Sequence, residues 1–101
     1  MKPLRQPDKQ PDQSVREVLI AAKAKIDKPQ KWIKREYQKG NRYCAAGACQ
    51  AVATNPDVSQ DAQRCLDNLT PDRIGIENFN DEGTHAEVMA LFDRAIQECW
   101  S

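Results

Sequence analysis

The stretch "NFNDEGTHAEV", residues 78–88, gathers the chain's one histidine, His85, with Asp81, Glu82 and Glu87 inside eleven positions. A neutral imidazole can act as a base or a ligand, a carboxylate can orient it, and a thiol such as Cys44 could supply a nucleophile. Cys44 with Asp81 and His85 would then make a thiol-dependent enzyme or a small-ligand site. The spacing has a plainer meaning. Thr84-His85-Ala86-Glu87 is a capping box, in which the Thr84 hydroxyl accepts from the Glu87 N–H and the Glu87 carboxylate accepts from the Thr84 N–H. Much of the stretch is therefore a helix start, with His85 where the macrodipole disfavours an imidazolium. Asn80 and Asp81 are the types that accept from free backbone donors in a turn. No catalytic residue is assigned on this basis.

Other site chemistries find less support. Cys44 and Cys49 lie five apart, whereas structural zinc sites pair two closely spaced hooks, and no second hook exists. "AAGA" offers one glycine where phosphate-binding loops need several. Neither a metal nor a cofactor is expected. No run of 18 apolar residues predicts a membrane span, and "MKPLRQPDKQPDQ" lacks the apolar stretch of a signal peptide. The expected location is the cytoplasm. There Cys44, Cys49, Cys65 and Cys99 would stay reduced, Cys65 and Cys99 as packing residues on apolar helix faces, and no disulfide framework is expected.

Binding is the stronger theme. Lys23 to Arg42 holds eight Lys/Arg against Asp27 and Glu36, with Trp32 and Tyr37 interleaved. Basic residues beside exposed aromatics can hold phosphates and stack bases, and can equally meet an acidic protein surface. The alternative is that Trp32 and Tyr37 are core residues behind a solvated charged face. The candidate binding residues are Lys31, Trp32, Lys34, Arg35, Tyr37 and Arg42, joined by Asn80 and Asp81. The formal charge of zero hides an asymmetry: residues 1–50 carry 12 Lys/Arg against 5 Asp/Glu, and residues 51–101 carry 3 against 10. A neutral total argues against a dedicated polyanion binder and leaves mutual attraction of the halves as the simpler explanation.

The elements that must position these residues follow from periodicity. Residues 1–13, with Pro3, Pro7 and Pro11, read as a flexible tail, and 14–101 as one domain. Ser14 and Glu17 form a capping box before Val15, Val18, Leu19, Ala22 and Ile26, a helix running to about Asp27, where Pro29 ends it. Gly40-Asn41 between aromatic flanks suits a two-residue hairpin turn. "CAAGACQAVA" reads as a small-residue helix at the centre of the fold, one whose surface also suits self-association into a homo-oligomer. Val58, Ala62, Cys65, Leu66 and Leu69 mark the next helix, "DRIGIENFND" a connector, and Val88, Leu91, Phe92, Ala95, Ile96 and Cys99 the clearest amphipathic helix.

Trp32, the Gly40 turn, "YCAAGA", "FND" and "THAEVMALFDRAI" occur in the order and at the spacing of a family of short uncharacterised bacterial and phage proteins, a domain of unknown function, which the chain resembles over about residues 15–98. The resemblance singles out Trp32, Cys44, Gly47, Ala48, Asn80, Asp81 and Thr84, with Phe79 where Trp is commoner, and it does not call on His85. It implies no activity. The fold expected is mainly α, about four helices with a short hairpin near residues 31–44. The function expected is a non-enzymatic binding protein, an accessory or phage-encoded modulator of a host complex, with a protein or nucleic-acid partner.

Overall fold

The computed structural model describes residues 14–99. The tail expected over residues 1–13 and the last two residues lie outside that range. Five α-helices and one minimal hairpin make up the described chain: α1 (Val15–Lys25), β1 (Gln38–Lys39), β2 (Arg42–Tyr43), α2 (Ala45–Val52), α3 (Pro56–Leu69), α4 (Ile76–Glu82) and α5 (His85–Glu98). Short 3-10 turns occupy Pro29–Lys31 and Pro71–Arg73. The mainly helical class and the hairpin match the sequence reading. One element was not foreseen: the expected connector around Ile76 and Phe79 is the helix α4.

The local signals explain most boundaries. Both capping boxes form, Ser14 with Glu17 at α1 and Thr84 with Glu87 at α5. Asn55 caps α3, its side chain accepting from the Val58 N–H, with Pro56 in the first turn where a missing donor costs nothing. The hairpin pairs Gln38 with Tyr43 and Lys39 with Arg42 across Gly40-Asn41, and Gly40 takes the left-handed φ of 63° that the turn requires.

Packing centres on α2. Ala45, Ala46, Gly47, Ala48 and Cys49 are all buried, surrounded by Val18, Leu19 and Ala22 of α1, Ala62 and Leu66 of α3, Ile76 of α4 and Phe92 of α5. The alanine-rich part of α2 is thus used inside the domain. Gly47 shows how tight the approach is: a Cβ at this position would lie 1.9 Å from the Tyr37 carbonyl oxygen. The Tyr37 backbone rests directly on α2.

The cysteines differ from expectation. Cys44 and Cys49 are free and buried, but Cys65 of α3 and Cys99, the C-cap of α5, are joined as a disulfide with Cα atoms 6.5 Å apart. Two partly buried apolar positions on different helices proved to face each other within bridging range, which periodicity along one helix does not reveal. Closing a loop with a sequence separation of 34 residues restricts the unfolded chain by about 3–4 kcal/mol in the loop-entropy treatment.

Replacing Gly47 with Ala should destabilise the fold by about 3 kcal/mol, because backbone rather than a flexible side chain must move. Urea unfolding checks this, and an unchanged midpoint would show that the Tyr37 backbone does not rest on α2 as described.

Candidate functional site

Between the Pro29–Lys31 turn and α2 the chain has little regular structure, so its shape must come from contacts elsewhere. They come from the end of α4. Asn80 is 1% exposed, and its amide joins three segments. Its Oδ1 accepts from the Trp32 indole Nε1–H at 2.7 Å and from the Ala45 N–H at 3.0 Å, and its Nδ2 donates to the Ile33 carbonyl at 3.0 Å. Asp81 Oδ1 accepts from the Arg35 N–H at 2.7 Å. Arg35 adopts φ 68°, a left-handed conformation that a non-glycine residue takes at a cost of about 1–2 kcal/mol. The segment then returns through the Ile33 N–H to Tyr43 O and the Cys44 N–H to Tyr37 O.

Beneath Arg35 lies a shallow cleft of about 90 Å³ lined by Arg35, Glu36, Tyr37, Cys44, Glu77 and Asp81. It unites Cys44 with Asp81, as a thiol site would require, but leaves His85 out. The His85 Nε2 lies 2.7 Å from the Ile26 carbonyl. A carbonyl only accepts, so Nε2 carries the proton and the ring ties the end of α1 to the start of α5. Asp81 is already engaged with Arg35. Cys44 itself is the N-cap of α2, its Sγ accepting from the Gly47 N–H at 3.2 Å. Burial raises the Cys44 thiol above its ordinary pKa, and the Gly47 and Ala46 N–H groups only partly offset this. Cys49 is pushed up to about 12, first by burial. Neither thiol is poised as a thiolate nucleophile at neutral pH.

The candidate binding residues separate into two groups. Asn80 and Asp81 face inward and build the segment. Trp32 is partly buried, between the core reading and the exposed reading, with Nε1 held by Asn80 and the His85 ring 5.7 Å away, tilted by 59°. Lys34 stands over the Trp32 ring at 5.6 Å, and Lys31 pairs with Asp27 at 3.6 Å. Arg35, Tyr37 and Arg42 face outward. Tyr37 is 49% exposed, and its hydroxyl donates to Glu77 Oε2 at 2.6 Å, a bond that raises the phenol's pKa. Three cations absent from the candidate set belong with this group: Lys28 and Lys39 are exposed, and Lys25 stands over the Tyr43 ring at 4.8 Å. The hairpin prediction could have found Lys39, since it fixes Lys39 opposite Arg42. Lys25 was hidden by its place in a helix.

Among the described residues no group of three or more His, Cys, Asp or Glu side chains could hold a metal ion, and no helix is long and apolar enough to cross a membrane.

The chain belongs to a family of unknown function, DUF6197, which it matches over residues 10–98. No curated protein and no solved structure matches it.

Both free thiols should alkylate with iodoacetamide at neutral pH roughly tenfold or more slowly than free cysteine. A raised thiol pKa adds stability below the unfolded value of about 8.5 and loses it as pH climbs toward the folded value. For Cys49 that window runs from about 8.5 up to about 12. Stability should therefore fall across the window, and Cys49→Ala should flatten that fall. Rapid alkylation of Cys44 in the folded protein would restore the thiol reading.

Proposed function

We propose that this protein is a small binding module, not a catalyst, whose working surface is the outward side of residues 28–43 and whose partner is a negatively charged macromolecule. One observation carries the reading. Lys28, Arg35, Lys39 and Arg42 are exposed and form no ion pair among the described residues, on a segment held in shape from its inner side by Asn80 and Asp81. Arg64 and Arg94, by contrast, pair locally with Asp61 and Glu98. The hairpin does the reverse. It sets Lys39 directly across from Arg42, an arrangement that is unfavourable until an anion lies between or over the pair.

A charged surface of this kind mainly sets association rate and selectivity, which suits an accessory or modulating subunit of a larger bacterial or phage assembly. The neutral total does not oppose this, because a partner meets the local field rather than the sum. The reading does not rest on the cytoplasmic location expected from the sequence, against which the Cys65–Cys99 disulfide counts.

Retention on a heparin column at low salt and neutral pH tests the reading with a defined polyanion. The wild-type protein should be retained. The triple variant Lys28→Glu, Lys39→Glu, Arg42→Glu should bind roughly tenfold or more weakly with its unfolding midpoint unchanged. Reversing Arg64, Arg73 and Arg94 changes the net charge equally and should leave retention intact. Equal loss in both triples would reduce the effect to net charge, and an unretained wild type would contradict the reading.

A further inference from the structure

We propose that the partner is single-stranded nucleic acid, gripped by Lys25 and Lys34 at phosphates and by the rings of Trp32 and Tyr43 at bases. The inference rests on the binding-module reading above and specifies its partner.

The residues that carry the two rings are backbone neighbours. Trp32 and Tyr43 face each other in a parallel β-bridge, and the Ile33 N–H donates to the Tyr43 carbonyl at 3.1 Å. Each ring is fixed by its edge. The Trp32 Nε1–H is held by Asn80, and the Tyr43 hydroxyl accepts from Gln38 Nε2 at 3.1 Å. Edge fixation sets the ring planes; both rings pack partly against the hydrophobic core, and what remains exposed is open to another contact. In the free protein that contact is a lysine: Lys34 over Trp32 at 5.6 Å and Lys25 over Tyr43 at 4.8 Å.

An ammonium over a partly exposed ring is weakly held and still wants an anion. A single strand offers both halves of the exchange, a phosphate for each ammonium and a flat base for each ring it uncovers. An acidic protein surface would draw the lysines away and offer nothing flat in their place. A duplex keeps its bases stacked inside, out of reach of rings that are themselves partly buried. The surrounding charge gives the strand a direction. Glu36, Glu77 and Asp81 line the cleft beside Arg35 and repel phosphate, whereas Lys39 and Arg42 at the hairpin carry no nearby ion pair, so the strand runs from the two rings toward the hairpin tip.

The test uses the full-length Trp100→Phe protein, which leaves Trp32 as the one tryptophan, titrated with oligothymidylate, with a duplex of mixed sequence and with polyglutamate. Oligothymidylate should quench Trp32 emission, and its log affinity should fall with log salt by about 0.7 per phosphate contacted. Lys25→Gln with Lys34→Gln should weaken binding roughly tenfold and reduce that slope by about 1.4, with the circular dichroism spectrum unchanged. Binding of polyglutamate but not oligothymidylate would overturn this inference and leave the anionic-partner reading standing. Failure of both probes would overturn both. Duplex binding as tight as single-strand binding, without a change in Trp32 emission, would overturn the stacking contact and with it the single-strand assignment.

Discussion

One buried amide organises the irregular segment between the Pro29–Lys31 turn and α2. Asn80 sits at the end of α4 with almost no exposure, and its side chain reaches Trp32, Ile33 and Ala45 at once. Removing any of these partners from water without a hydrogen bond would cost about 1–3 kcal/mol, so the amide is needed where it is. A carboxylate of the same shape could accept from Trp32 and Ala45 but could not donate to Ile33. A hydrophobic side chain would leave all three unmet.

From that constraint the rest follows in order. The Ala45 N–H is one of the donors that open α2, so the bond to Asn80 ties the start of the central helix to α4. The Cys44 sulfur takes the Gly47 donor, and Gly47, lacking a side chain, lets the Tyr37 backbone lie on the same helix. Asp81 then holds Arg35 in a backbone conformation it would not choose alone. An irregular segment bound at this many points holds its lysines and aromatic rings in fixed positions, which would suit recognition of a charged partner. Of the residues of the family pattern, Asn80 and Asp81 hold the segment from beneath, Cys44 and Thr84 cap α2 and α5, Gly47 and Ala48 lie in the buried part of α2, and Trp32 is held by its Nε1–H.

The division between what sequence showed and what it hid is physical. Capping boxes, the α5 apolar series and the Gly40 turn depend on neighbours within four residues, and each was legible. α4 was not, because it spans seven residues, has a glycine N-cap without a side-chain cap, and buries only Ile76 and Asn80, too few positions to show a period. The Cys65–Cys99 bond and the reach of Asn80 to Trp32 join positions 34 and 48 apart, and such distances are set by packing rather than by local pattern. Composition drew attention to the segment that the proposed surface uses, with eight cations from Lys23 to Arg42 and the Trp32 and Tyr37 rings, although Lys23 pairs with Asp93 and Lys31 with Asp27. It did not show which of them face inward.

The most direct test of this account is hydrogen exchange by nuclear magnetic resonance at the Trp32 indole N–H and the Ala45 amide, in the wild type and in Asn80→Ser. If Asn80 holds the segment, both protons exchange slowly in the wild type. In the variant the Trp32 indole loses its protection while core amides of α1 and α5 keep theirs. A Trp32 indole that exchanges in the wild type at the rate of a free indole would show that the segment is not held by Asn80, and the surface built on it would lose its foundation.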